Sequence, residues 1–242
     1  MSEPQVVVSD SADELAAATA QRTIDTLAAA IADRGVAHLV VTGGSILEKV
    51  LGSLNRPDAL DWSRVHVWWG DERYVPSDSD DRNDQPALAL LFGNVAAVLH
   101  RMPASDAGFA TPEAAADAYA AELAAQAGGA SVPAFDAVLL GVGPDGHCAS
   151  LFPGHPGTRI LDASVIAVHD SPKPPPTRLS LTFSALDAAS EVWFVVSGDG
   201  KADAVARALG GASREDVPSA GPRGTSHTLW LVDRDAAGRL PS

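Results

Sequence analysis

His147 closes a glycine turn in the stretch Gly141-Val-Gly-Pro-Asp-Gly-His-Cys-Ala-Ser-Leu-Phe-Pro-Gly154. Histidine is the side chain best suited to moving protons near neutral pH. Glycines let a backbone approach a ligand closely and adopt positive φ. The turn follows an apolar run, residues 135–140, that reads as a buried strand. A strand ending in such a turn reads as the floor of an active site, although a histidine that only caps a turn gives the same local pattern. Cys148 offers a thiolate in the same place, but reads better as a small buried residue packed under the turn.

Other residues of the right type are scattered along the chain. Thr42-Gly43-Gly44-Ser45 lies between a predicted strand and a predicted helix, where N–H groups and the helix N-terminus favour an anion. The plainer reading is a tight turn with Ser45 as the helix cap. Lys201 opens a predicted helix, where the dipole disfavours a cation, so it is a second candidate for a phosphate. Asp71-Glu72-Arg73 sets three charges directly after the apolar residues 65–69. Arg73 can fork onto phosphate or hold an oxyanion, and Asp71 or Glu72 can orient neighbouring groups. A solvated loop explains the same three residues. Arg178, after a proline run, can bind an anion or pair with a surface acid.

Several chemistries are excluded by spacing. Gly141-x-Gly143-x-x-Gly146, with Asp162 further on, matches the dinucleotide fingerprint, but Pro153, Gly154, Pro156 and Gly157 break the helix that the fingerprint requires. No P-loop lysine follows Gly44. The histidines form no His-Glu-x-x-His pattern and there is no Cys-x-x-Cys, so no metal site is expected. The Gly-x-Ser-x-Gly elbow of a serine hydrolase is absent from the sequence.

The elements that must position these residues alternate. Strands are expected at 5–8, 37–41, 65–69, 95–99, 135–140, 165–168, 178–182, 191–196 and 228–232. Helices are expected at 11–34, opened by the capping box Ser11-Ala-Asp-Glu14, and at 46–54, 83–91, 111–127 and 200–209, with a last helical turn at 235–239. Residues 171–176, Ser-Pro-Lys-Pro-Pro-Pro, read as a stiff, extended connector. Residues 77–82 and 213–226 read as mobile rims on composition. The alternation argues for an α/β fold with a mainly parallel sheet covered by helices on both faces, and for ligands beyond the carboxyl ends of its strands. One catalytic domain over 1–242, with a small lobe in its C-terminal half, is the expected organisation.

Composition narrows the class further. The chain has 242 residues, a formal net charge of −14 and one cysteine. That charge argues against nucleic acid or an anionic membrane as partner. No apolar run approaches a membrane span, residues 1–5 lack a signal peptide's features, and the single cysteine fits a reducing compartment. A cytoplasmic protein is expected.

Taken together, Thr42 to Ser45, Trp69 to Pro76 with Asn83, Gly141 to Gly154, Ser171-Pro-Lys-Pro-Pro with Arg178 to Thr182, Gly200-Lys201-Ala202 and Trp230 to Asp233 resemble the glucosamine-6-phosphate isomerase/6-phosphogluconolactonase family. The resemblance spans nearly the whole chain and departs at Ile46-Leu47, often Thr-Pro in the family, and at Cys148, commonly Thr. It implies the fold shared with glucosamine-6-phosphate deaminase and ribose-5-phosphate isomerase. It also implies hydrolysis of 6-phospho-D-glucono-1,5-lactone in the oxidative pentose phosphate pathway, with no cofactor or metal. By resemblance His147 is the general base, Asp145 shapes the turn and orients it, and Arg73 with backbone N–H groups holds the oxyanion. Asp71 is carried over with them as a catalytic position. Thr42, Gly43, Gly44, Ser45, Arg178 and Lys201 hold the phosphate. A functional link to glucose-6-phosphate dehydrogenase and a monomeric state are the expectations for partners. Two alternatives stay open: a deaminase/isomerase, for which Ala149-Ser150-Leu151-Phe152 supplies no acid and Arg73 replaces the usual Tyr, and a non-catalytic sugar-phosphate sensor.

Overall fold

The computed structural model describes residues 2–54 and 57–241; of the amino-terminal segment, Met1 lies outside them. The strands are β1 (Pro4–Ser9), β2 (Ala37–Val41), β3 (Val65–Trp69), β4 (Asp71–Arg73), β5 (Val98–His100), β6 (Ala137–Leu140), β7 (Val165–Val168), β8 (Arg178–Leu181), β9 (Glu191–Val196) and β10 (His227–Asp233). The α-helices are α1 (Ala12–Arg34), α2 (Ser45–Ser53), α3 (Asp84–Ala87), α4 (Pro112–Ala125), α5 (Phe183–Leu186) and α6 (Ala202–Leu209).

Among the described residues, β1-β10-β9-β6-β2-β3-β5 form one sheet in that order, and each neighbouring pair is parallel. The central strands β2 and β6 are buried along their whole length, as a parallel sheet packed on both faces requires. Trp68, Trp69, Trp193 and Trp230 are fully buried core residues. Tyr119 on α4 ties two strands together: its hydroxyl accepts from the Trp69 N–H at 2.9 Å and donates to the His100 carbonyl at 3.0 Å. The edge strand β1 keeps Val6, Val7 and Val8 exposed.

Local signals explain the helix ends. Ser11 accepts from the Glu14 N–H and Gly35 ends α1 in the left-handed region, while Thr111 caps α4 with Pro112 at its first position. At α2 the expected cap is corrected. Gly44, at φ 124, is the N-cap and Ser45 is already helical. The strand expected at 95–99 pairs only over Val98–His100, and the terminal residues 235–239 make hydrogen-bonded turns rather than a helix.

A second, antiparallel sheet, β4-β8-β7, is the main feature that periodicity did not announce. Asp71-Glu72-Arg73 pairs with Arg178-Leu179-Ser180. The Leu181 N–H donates to the Gly70 carbonyl at 2.8 Å, joining this sheet to the end of β3. The charged triplet is therefore a strand and not a solvated loop.

Candidate active site

The order of the large sheet places β9, β6 and β2 side by side. The turns at their carboxyl ends therefore open on one cleft, with the turn after β3 beside them. The cleft holds about 330 Å³ and its walls include Gly43, Gly143, His147, Arg73, Arg178 and Lys201. This is the crevice position at which open α/β sheets bind ligands. Thr42, Gly44, Ser45 and Asp71 also line it, so nine of the ten sequence candidates face one space; Asp145 stands behind His147.

The histidine turn is built tightly. His147 Nδ1 lies 2.6 Å from Asp145 Oδ1. A carboxylate accepts only, so Nδ1 carries the hydrogen and Nε2 is left for the cleft. Burial works against ionisation of Asp145, but the His147 hydrogen bond and the His147 and Lys173 charges outweigh it and hold its carboxyl far below the usual range. The ring is held from below by Phe152, 4.8 Å centroid to centroid. Phe152 also carries the Arg178 guanidinium over its ring at 5.6 Å. Gly143 leaves room for the ring, because a Cβ there would collide with the imidazole and with the Asp145 carboxylate. Ala149 sits at φ 46, a left-handed conformation costing a non-glycine residue about 1–2 kcal/mol. Cys148 is fully buried, and burial pushes its thiol well above the ordinary range, which removes it as a nucleophile.

The Thr42–Ser45 turn, a candidate anion site, lines the same cleft. Gly44 provides no side-chain cap, so the first N–H groups of α2 face the cleft. Gly43 is required there, since a Cβ would strike the Asn83 side chain. The Thr42 hydroxyl is committed within the protein. It donates to the Leu139 carbonyl at 3.1 Å and accepts from the Gly141 N–H at 3.2 Å, joining the two glycine turns. What Thr42 offers a ligand is thus its backbone. Lys201 enters from the turn before α6, half-buried; burial and the nearby Lys173 lower its proton affinity and Asp145 raises it.

Arg73 and Arg178 face each other across the β4–β8 pair. Like charges directly opposite are unfavourable, and an anion between them removes the cost. Arg73 gives Nη1 to the Asp81 carbonyl at 2.6 Å, while its buried Nε has no partner among the described residues. Arg178 is spent largely on the proline segment, donating to the carbonyls of Lys173, Pro174 and Pro175 at 3.1, 3.0 and 3.2 Å. Asp71 is buried and accepts from the Ser150 hydroxyl at 2.6 Å and from Asn83. It links β4, the histidine turn and the 83 region.

Three expectations need correction. Residues 171–176 are not an extended connector: the Ser171 N–H donates to the Pro176 carbonyl at 2.9 Å, and the segment folds back over the cleft. This brings in Lys173, which sequence reasoning left without a role; the signal was a lysine inside a proline run. The segments 77–82 and 213–226 do not line the cleft and are anchored from inside, Arg82 being 2% and Val217 0% exposed. Val217 packs against Gly146, whose carbonyl accepts from the Ser219 N–H at 2.9 Å. Among the described residues, no cluster of His, Cys, Asp and Glu could hold a metal, and no helix is long and apolar enough to cross a membrane.

Comparison with known proteins gives the family. Residues 10–230 match the family described as Glucosamine-6-phosphate isomerases/6-phosphogluconolactonase. A 6-phosphogluconolactonase of Streptomyces coelicolor is 49% identical, covering 98% of this chain and 95% of that protein. Among solved structures, the 6-phosphogluconolactonase of Trypanosoma brucei superposes with a TM-score of 0.85 at 25% identity, covering 99% of both chains. A monomeric glucosamine-6-phosphate deaminase superposes at 0.78 over 97% of this chain and 99% of its own, with 21% identity, and shares the fold.

Proposed function

The chain belongs to the glucosamine-6-phosphate isomerase/6-phosphogluconolactonase family, and from that premise we propose the chemistry of its cleft. The reaction is hydrolysis of 6-phospho-D-glucono-1,5-lactone to 6-phospho-D-gluconate, a step of the oxidative pentose phosphate pathway. The observation that carries the mechanism is the His147–Asp145 pair, which leaves Nε2 for the cleft that His147 lines.

A δ-lactone is an activated ester, so water and a base suffice. Water attacks C1 while its proton passes to His147 Nε2. The carbonyl electron pair moves onto oxygen, where Arg73 and N–H groups of the glycine turns hold the charge. Collapse of this intermediate breaks the bond from C1 to the ring oxygen, and the imidazolium returns its proton to that oxygen. Asp145 keeps the imidazole in the productive tautomer. Asp71 acts by fixing Ser150 and Asn83. The Thr42–Ser45 turn, the α2 N-terminus, Arg178 and Lys201 take the phosphate. No cofactor enters this chemistry. Ala149, Ser150, Leu151 and Phe152 supply no acid beside the histidine and are buried, which favours hydrolysis over proton transfer between adjacent carbons.

The same reading gives a monomer in the cytoplasm, supplied with its lactone by glucose-6-phosphate dehydrogenase. The test is turnover of lactone freshly made by that dehydrogenase, corrected for spontaneous hydrolysis. Enzymatic acceleration is expected. Ammonia released from glucosamine 6-phosphate would instead identify a deaminase, and binding without turnover a sensor.

A further inference from the structure

Lys173 stands against the catalytic pair. Its Nζ lies 3.2 Å from His147 Nδ1 and 3.5 Å from Asp145 Oδ1. Its side chain keeps 38% of its exposure and lines the cleft. A surface lysine would be free to leave this position, but the backbone that carries it is fixed on several sides. The Lys173 carbonyl accepts from Arg178 Nη2 at 3.1 Å and from the Ser171 hydroxyl at 2.9 Å, and its N–H donates to that hydroxyl at 3.3 Å. The flanking Pro174 and Pro175 carbonyls are held by the same Arg178. So the cation is delivered to one side of the imidazole, with Phe152 and the Gly143 space defining the others.

The tautomer decides what the contact does. Nδ1 gives its hydrogen to Asp145, so it cannot accept from the ammonium. Lys173 therefore bonds to the carboxylate and meets the ring as a neighbouring charge. The charged groups in contact with His147 are Asp145 on its own turn and Lys173 on the folded-back segment, while Arg178, stacked on Phe152, and Arg73 line the same cleft. Lys201 lies near enough to feel both Lys173 and Asp145. Asp145 favours the imidazolium and the cations oppose it. We propose that Lys173 is a positioning residue that balances Asp145, holding the carboxylate toward His147 and making the imidazolium quick to return its proton to the leaving oxygen. This rests on the lactonase reading above.

A cation removed from beside an imidazole makes protonation easier. In Lys173→Met the acid limb of the kcat/KM profile should move to higher pH. The loss near neutrality should fall on kcat with KM changed less than about threefold, the pattern of lost transition-state stabilisation. Lys173→Arg should restore the wild-type limb. An NMR titration of the His147 ring in the full-length protein, which needs no turnover, should show the same displacement. A limb and a ring titration that stay put in Lys173→Met would overturn the inference while leaving the lactonase reading standing. So would a loss carried wholly by KM, which would make Lys173 a substrate ligand. A wild type without lactonase activity would overturn the function itself, and the ring titration would still decide the Lys173–His147 coupling.

Discussion

A Cβ at Gly143 would meet the His147 ring and the Asp145 carboxylate at once. The smallest possible substitution therefore reports on the whole arrangement. Gly143→Ala must push the imidazole from its place, and a displacement of about 1 Å in a reacting group can cost about 10²-fold. A loss of that size in kcat/KM is expected, measured by steady-state kinetics. Gly52→Ala serves as the control. Its Cβ would find only ordinary contact with Leu90, and helix propensity favours alanine by up to about 1 kcal/mol, so activity should stay at the wild-type level. At this scale the sequence was most legible. The Asp145-Gly-His147 spacing and the Thr42-Gly-Gly-Ser45 turn pointed to the cleft because glycine and histidine carry strong local meaning. Lys173 was not legible, since nothing in a proline run says that it folds back and delivers its lysine to a histidine twenty-six positions away.

The element that sequence hid best is β4. Asp, Glu and Arg are poor strand formers, and their pairing with β8 is a long-range contact that local propensity cannot register. Glu72 pins this strand to the 83 region. Its carboxylate accepts from the N–H groups of Arg73, Asn83 and Asp84 at 2.8, 2.6 and 3.0 Å. Burial, aided by the Asp84 charge, pushes the Glu72 carboxyl up to about 7, with Arg82 and the N–H groups of Asn83 and Arg73 pulling the other way. Glu72→Ala takes the acceptor from the buried Asn83 and Asp84 N–H groups and the part-buried Arg73 N–H, and leaves Arg82 with one acid fewer. A stability loss of roughly 2–4 kcal/mol is expected from urea unfolding. Arg73 and Arg178 ride on these same paired strands, so activity should fall with stability. The β2, β3, β6 and β9 strands, in contrast, were readable from their apolar runs because both of their faces are covered.

Across the whole molecule, the parallel sheet separates chemistry from support. The cleft lies at the carboxyl ends of β2, β6 and β9, while His38 and His66 sit near the opposite ends of β2 and β3. His66 Nδ1 and His100 Nε2 are 2.8 Å apart, His100 Nδ1 meets Glu122 at 2.6 Å, and the Trp68 indole donates to His38 at 3.2 Å. Burial first, then the His66, His100 and Arg34 charges, lowers His38 from 6.5 to about 4. The folded state thus prefers neutral His38. Its contribution is complete above pH 6.5 and is lost as pH falls toward about 4, where the unfolded chain binds the proton first. Denaturant midpoints should drop across that window, and His38→Gln should flatten the drop. A net charge of −14 shapes the other end of the molecule. Arg73, Lys173, Arg178 and Lys201 gather on one cleft against that background, and screening keeps distant acids from cancelling them. The convergence of turns followed from the β/α alternation, whereas the second sheet depended on pairings between distant segments.

The central claim is that His147 moves the proton in lactone hydrolysis. The direct measurement is kcat of His147→Ala on freshly generated 6-phosphogluconolactone, with spontaneous hydrolysis subtracted and folding checked by circular dichroism. A fall of about 10²–10⁴-fold with little change in KM is predicted, the usual contribution of a general base. A folded His147→Ala variant that turns over lactone near the wild-type rate would contradict the account.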